Sequence, residues 1–185
     1  MAGAAREFPF DGPGGLPHFR RPFVQDMRHT ISVLVENKFG VLTRIAGMFS
    51  GRGFNIDTLN VAPTLDPSTS RMTIVVSGDD TVLEQVTKQL NKLIDVIHID
   101  DYHDEDVVER ELLLMRVKVD PVNRTEVMQL CDIFRAKIVD VQHEVLGIEV
   151  TGNESKIEKF LMLMGKFGIS ELSRTGRVAL ARKPH

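Results

Sequence analysis

Side chains able to do chemistry are few and scattered along this chain of 185 residues. The six histidines show no paired spacing of metal ligands, and no phosphate-binding loop, nucleophile elbow or dinucleotide fingerprint is present. The single cysteine, Cys131, falls in a helical apolar stripe, which favours a thiol in the core over a nucleophile. We therefore predict a protein with no catalytic set of its own.

One charged stretch, residues 100–111, contains seven carboxylates and His103. Clustered oxygens suit hard cations, but the stretch lacks the spacing and the turn glycine of a calcium loop. A charge run of this kind is more typical of a solvated linker. We expect it to join two domains, with metal binding as the less favoured alternative.

Residues 37–56, NKFGVLTRIAGMFSGRGFNI, contain four glycines but no His, Cys or acidic side chain. The apolar spacing predicts a helix just after Gly40, and the first amide hydrogens of a helix lack internal partners and carry the positive end of its dipole. A glycine there lets a carboxylate approach the backbone, while Asn37 and Asn55 can donate and accept hydrogen bonds. Two interpretations remain open: a site for an ammonium and a carboxylate, or a loop that Asn37 shapes and the glycines cap and turn.

Composition limits the class of protein. The chain is 42% hydrophobic with no apolar run near the roughly 18 residues of a membrane span, so we expect no membrane partner. Its net charge of -3 offers no field for phosphate backbones, and the predicted strands offer an RNA only Phe54 and Tyr102 for stacking, so we expect no nucleic-acid partner. A single cysteine fits a reducing compartment.

Residues 1–27 contain half of the chain's eight prolines and four of its glycines, which predicts a flexible tail. An arm that docks its phenylalanines on a partner is the alternative; these are Phe8, Phe10, Phe19 and Phe23. The segment resembles neither a transit peptide nor a secretory signal. We therefore expect a cytoplasmic protein.

An internal repeat organises the rest of the chain. VSGDDTVLE at 76–84 recurs as VTGNESKIE at 150–158, and strands at 29–36 and 111–119 open the two copies. Each copy predicts the order strand, helix, two paired strands, helix, strand. In the second copy, the last of these strands is predicted as one element over ISELSRTGRVALAR. The inward face of the first helix is predicted to be Leu42, Ile45, Met48 and Phe49.

The prediction is thus an α+β protein of two tandem ferredoxin-like βαββαβ units, residues 28–104 and 105–185, after the tail. Units of roughly 70 residues have thin cores, so pairing with the other copy or with a second chain is expected. In the second copy, DPVNRTEV replaces the glycine-containing loop. Only the first unit therefore keeps the candidate site.

Several motifs occur together in order: ISVLVENKFGVLTRIAGMFSGRGFNIDTLNVAPTLDPSTSRMTI, LIDV, ERELLLMRV, IFRAKIVDV and RTGRVALAR. Together they are similar to the regulatory small-subunit family of acetohydroxyacid synthase (acetolactate synthase), and the first unit resembles an ACT domain. The resemblance covers nearly everything from Arg28 to Arg182. It implies a chain that binds valine or another branched-chain amino acid, confers feedback inhibition and activates a separate catalytic subunit.

The same resemblance implies that the first units of two chains pair edge to edge, as a homodimer or higher, with the effector between them. The effector-binding residues that it implies are Asn37, Gly40, Val41, Leu42, Asn55 and Ile56, with Ala62 nearby. It assigns thiamine diphosphate, magnesium and FAD to the catalytic subunit and no cofactor to this chain. A free-standing ACT-type amino-acid sensor is the alternative function.

The second unit is expected to bind no amino acid and to contact the catalytic subunit instead. The residues proposed for that contact are Arg174, Arg177 and Arg182. They could equally be a solvated strand end.

Overall fold

The first unit has two helices on one face of a four-stranded sheet. The computed structural model describes residues 28–102 and 106–182, so the predicted tail, residues 1–27, lies outside the described residues. The elements of the first unit are β1 (Arg28–Glu36), α1 (Val41–Gly51), β2 (Ile56–Pro63), β3 (Thr69–Ser77), α2 (Asp80–Leu90) and β4 (Val96–Asp101). Its antiparallel neighbours follow the order β2-β3-β1-β4, which leaves β2 at one edge.

The core of this unit follows from the alternation along β1. Ile31, Val33 and Val35 point to the helices and are at most 1% exposed, where they meet apolar residues of α1 and α2. One predicted helix face needs correction, because Leu42 is 45% exposed. Val41 lies in the core instead, since the helix begins at that residue and its first turn faces the sheet with Val41.

The second unit repeats this plan and adds a strand. Its elements are β5 (Val107–Lys118), α3 (Arg124–Phe134), β6 (Lys137–Val141), β7 (Val145–Gly152), α4 (Glu154–Gly165), β8 (Ile169–Arg174) and β9 (Val178–Ala181). Its sheet follows the order β6-β7-β5-β8, and β9 pairs with the start of β5. The predicted architecture of tandem ferredoxin-like units is therefore confirmed, with a ninth strand added.

Two boundary predictions were wrong for one reason, the length of β5. This strand has 12 residues and pairs with β8 over residues 113–117 and with β9 over residues 107–110. The predicted last strand is therefore broken by a turn at Gly176, whose φ is 75°. For the same reason the acidic stretch 100–111 is only in part a linker, because both of its ends belong to strands.

The repeated glycine of the two copies has a steric explanation. Asp79 and Asn153 cap α2 and α4, each accepting a backbone N–H three residues on. With such a cap, the first turn of the helix lies close to the residue before the cap. A Cβ on Gly78 would therefore lie 2.7 Å from the Val82 Cβ. Val82 is β-branched and cannot turn away at low cost.

We expect Gly78→Ala to lower the free energy of unfolding by about 1–3 kcal/mol, the usual cost of overpacking. Gly47→Ala is the matched control, because Gly47 lies inside α1 and a Cβ there would meet nothing within 4 Å. The control should raise stability by about 0.5–1 kcal/mol through the helix preference of alanine. Urea unfolding measures both. Equal effects in the two variants would contradict the steric explanation.

Cys131 lies in the core of the second unit, 1% exposed. Burial, and to a smaller extent the neighbouring Asp132, raises the pKa of its thiol from 9.0 to about 11. The prediction of a core thiol is confirmed. A protonated buried thiol is a poor nucleophile.

Iodoacetamide should therefore modify native Cys131 about a hundredfold more slowly than the unfolded chain at neutral pH, because roughly a hundredth as much thiolate is present. Since the folded pKa is raised, the contribution of the thiol to stability is complete below pH 9.0 and is lost as pH rises through about 11. Cys131→Ala should lack this part of the pH dependence. Equal labelling rates in the native and unfolded chains would contradict the assignment.

Candidate functional site

The loop between β1 and α1 presents an open helix N-terminus. Gly40 precedes the helix with a φ of 84°, a left-handed conformation that favours glycine. Among residues 28–102 and 106–182, no side chain caps α1, and its first turn contains no acidic residue. A Cβ on Gly40 would find the Arg44 guanidinium as its nearest neighbour, at 3.9 Å. The backbone amides and a cation thus stand together at this end of α1.

Arg44 is a candidate binding residue that sequence reasoning missed. Side chains of a helix point toward its N-terminus, so a residue four positions after Gly40 lies over the open amides. Arg44 also forms an ion pair with Asp95 at 3.1 Å, and Asp95 is 6% exposed. The spacing from Gly40 to Arg44 was the signal available in the sequence.

Asn37 shapes the loop. Its backbone N–H donates to the Ser68 carbonyl oxygen at 2.7 Å, and its Nδ2 donates to the Pro67 carbonyl oxygen at 2.9 Å. These bonds tie the loop before α1 to the loop between β2 and β3. Asn37 therefore has a structural part in the loop, which uses one of its two Nδ2 hydrogens and leaves its side-chain oxygen outside these bonds.

Asn55 stands at the far end of the helix. Its Nδ2 donates to the Asp57 Oδ1 at 3.0 Å, and it is exposed just before the edge strand β2. Ile56 and His29 both pair with Val76, so β1 and β2 run parallel and begin at the same end of the sheet.

The six predicted residues therefore form two groups within one chain. Asn37, Gly40, Val41 and Leu42 lie at the start of α1, whereas Asn55 and Ile56 follow its end, about 16 Å away for a helix of 11 residues. The side chain of Val41 is buried, and its backbone N–H donates to the Lys38 carbonyl oxygen at 3.4 Å, a long bond that a ligand could displace. Ile56 is half-buried against the core, and Ala62 is exposed near the far end of β2, on the side of Gly40.

In the second unit, a carboxylate lies in the turn just before α3 (Arg124–Phe134), where it binds amides that precede the helix. The Asp120 Oδ1 accepts the backbone N–H of Val122 and of Asn123, both at 2.8 Å. An anionic ligand at the start of α3 would compete with this side chain. The two units thus differ in charge at the same topological position.

The arginines assigned to partner contact have ionic partners within the chain. Arg174 bonds to Glu111 through two nitrogens, at 2.5 and 2.9 Å, and this bond raises the pKa of its guanidinium further above the ordinary value. Arg182 donates to Asp106 at 2.8 Å and stays 56% exposed. Arg177 lies between the two units. A contact with another protein at these positions would have to share the arginines with these carboxylates.

Among the described residues, no group of three or more His, Cys, Asp or Glu side chains is arranged to hold a metal ion. His103 lies outside that part of the chain. Within the same residues, no helix is long and apolar enough to cross a membrane.

Comparison with known proteins agrees with this architecture. Residues 31–98 match the family model of the AHAS small subunit-like ACT domain, and residues 110–183 match that of the small subunit of acetolactate synthase. An ACT domain followed by this second unit defines a class of regulatory protein.

Individual relatives narrow the class. A probable acetolactate synthase small subunit from Archaeoglobus fulgidus is 56% identical over 84% of this chain and 98% of its own length, and one from Mycobacterium bovis is 52% identical over 84% and 93%. The crystal structure of the Thermotoga maritima small subunit superposes with a TM-score of 0.79 at 41% identity, covering 85% of this chain and 99% of that one. The chain belongs to the acetolactate synthase small-subunit family. It is therefore a regulatory subunit that is not catalytic alone. Membership of this family implies a catalytic subunit as its partner.

Proposed function

We propose that the chain binds valine or another branched-chain amino acid between the first units of two copies. Through this site it makes its catalytic subunit sensitive to feedback inhibition, and it activates that subunit, which contains the thiamine diphosphate, magnesium and FAD. One observation carries the proposal: the two groups of predicted effector residues lie at opposite ends of α1 in one chain.

A second copy removes this separation. β2 is an edge strand, and an edge is a ready template for pairing with another chain. If two β2 strands pair antiparallel about a twofold axis, the start of one strand lies beside the end of the other. Asn55 of one copy would then lie at the Gly40 end of the second copy. Two equivalent sites would form, each with residues from both chains.

The charges at each such site suit an amino acid. The open amides before and within the first turn of α1 and the Arg44 guanidinium favour a carboxylate. The side-chain oxygens of Asn37 and Asn55 are acceptors for an ammonium. Leu42 and Ala62 are exposed apolar neighbours for a small branched side chain. The carboxylate of Asp120 at the start of α3 disfavours the same ligand in the second unit.

Dimer formation and dependence on a partner can be measured directly. The purified chain should have at least the mass of a dimer in light scattering at micromolar concentration, because the unpaired edge and the thin core favour association. It should produce no acetolactate alone. Added to the catalytic subunit, it should raise acetolactate formation and make it sensitive to valine. A free-standing sensor would bind valine without changing that activity, and a monomer would contradict the two-chain site.

The charge at the helix end can be tested with a matched pair of substitutions. Gly40→Asp and Gly40→Asn impose the same left-handed conformation on residues of nearly the same shape, and both residues tolerate it comparatively well. Only aspartate adds a negative charge beside the effector carboxylate, where repulsion at ~4 Å is worth about 4 kcal/mol in partly screened surroundings.

We expect Gly40→Asp to raise the valine concentration for half-inhibition at least about a hundredfold, and Gly40→Asn by less than about tenfold. Activation of the catalytic subunit should survive in both. Inhibition curves of the reconstituted complex, with leucine and isoleucine in parallel, give the answer. Equal shifts in the two variants would mean that backbone strain, and not charge, is responsible.

A further inference from the structure

Charged side chains hold the two units together. Arg28, the first residue of β1, reaches across to Glu154 in the first turn of α4. From the turn between β8 and β9, Arg177 bonds to the same Glu154 and to the Oγ1 of Thr30 on β1, the latter at 3.0 Å. One carboxylate of the second unit is therefore shared by one guanidinium from each unit.

Arg177 and Glu154 are less exposed than an ordinary surface ion pair, while the side chain of Arg28 is 38% exposed. The side chain of Arg177 is 17% exposed and that of Glu154 is 34% exposed, whereas both members of the Lys88–Glu84 pair exceed 60%. Partly buried charges are less screened by salt, and a charge that loses its partner there is costly. Arg177 also pairs with Glu109 at 3.1 Å, so Glu154 can move toward Arg28 without leaving Arg177 unpaired.

The same network continues to a proposed effector residue. Asp57 pairs through its Oδ2 with the Arg28 Nε at 3.6 Å, and its Oδ1 accepts the Asn55 Nδ2 at 3.0 Å. A shift in strand register next to Asp57 marks an irregularity in β2, of the kind that re-aims a side chain. Contacts are thus continuous from Asn55 through Asp57, Arg28 and Glu154 to Arg177.

A steric contact runs beside the ionic one. A Cβ on Gly176 would lie 3.0 Å from the Thr58 Cβ, so the turn that presents Arg177 rests directly on β2. A partly open cavity of about 20 Å³ lies at this junction, with Thr58 in its lining. The Oγ1 of Thr58 is buried and finds no hydrogen-bond partner among the described residues. The junction is therefore polar and incompletely filled, unlike the two apolar cores.

We propose that this ion-pair path transmits effector binding from Asn55 to the second unit. The inference rests on the proposed function. The effector ammonium bonds to the side-chain oxygen of Asn55, whose Nδ2 donates to Asp57, and it attracts the nearby Asp57 carboxylate. This changes the hold of Asp57 on Arg28, and hence the share of Glu154 left to Arg177. Because α4 and the turn before β9 are parts of the second unit, a change in how the Glu154 carboxylate is shared between Arg28 and Arg177 shifts that unit relative to the first. The effector selects the arrangement that it binds more tightly.

Glu154→Gln in the full chain, reconstituted with the catalytic subunit, tests the path. Glutamine keeps the shape and an acceptor oxygen but removes the charge shared by the two arginines. Glu158→Gln is the matched control, since Glu158 lies one turn later on α4 and its ion pair with Arg174, at 3.0 Å, stays within the second unit. Arg28→Gln is a second variant, which removes the crossing cation and leaves α4 intact.

Valine should still bind the small subunit alone in all three variants, as measured by calorimetry, because none of the three residues belongs to the proposed site. The valine concentration for half-inhibition of the reconstituted complex should rise at least about fivefold in Glu154→Gln and Arg28→Gln, but not in Glu158→Gln. Fivefold is the lower end of ordinary coupling between sites. Amide hydrogen exchange in β9 (Val178–Ala181) adds a readout that a merely structural role would not move. Valine should change this exchange in the wild type and in Glu158→Gln, and should leave it unchanged in the other two.

The outcomes separate the two proposals. If the wild type binds no branched-chain amino acid, the proposed function fails, and the path fails with it. Suppose instead that valine inhibits the wild type, but that Glu154→Gln and Arg28→Gln respond to valine as Glu158→Gln does. Then only the proposed path is wrong.

Discussion

The parallel course of β1 and β2, with α1 between them, is the constraint on which the other features of this protein depend. It places the end of β1, where the open amides of α1 lie, at one end of the sheet, and the start of β2, with Asn55, at the other. A ligand of amino-acid size cannot span the length of α1. The proposed site, built from both groups, would therefore need two chains, and β2 is an edge strand at which a second chain could pair. The same course brings Asp57, close behind Asn55, to the junction with the second unit.

The two units share one fold but differ in the charged groups near the start of their first helices. At the first helix, a left-handed glycine precedes the first turn, and the nearby Arg44 is paired with Asp95. At the equivalent place in the second unit, the Asp120 carboxylate binds the amides of the turn just before α3 and adds a negative charge there. Both arrangements are compatible with the βαββαβ plan, because the core depends on apolar alternation and not on the helix caps.

Apolar and polar contacts have separate tasks. Each unit has its own apolar core, with the largest side chains fully buried. Charged and polar side chains make contacts across the junction between the units, and interfaces of that kind rearrange at lower cost than a packed core.

Much of the fold was predictable because hydrophobic period and turn residues are local signals. The repeat of VSGDDTVLE as VTGNESKIE located two equivalent helix starts, and the structure shows the same caps at Asp79 and Asn153. The break at Gly176 was not predictable, because it depends on the pairing of β9 with residues 107–110, some 70 positions earlier in sequence. The prediction that Leu42 faces the core was wrong, because either of two adjacent residues in the first turn of a helix can face the core.

For the site, sequence alone determined the residue types: a glycine before a helix, two asparagines around it, and no such glycine in the second copy. Only the tertiary structure decided that the asparagines lie at opposite ends of α1, that Arg44 stands over the helix start, and that Arg177 lies at the junction between units. Backbone preferences act between neighbours in sequence, so the sequence reveals them. The distance between two loops, or the partner of a charged side chain, depends on how whole strands are ordered in a sheet, and that order is settled by packing across the entire chain.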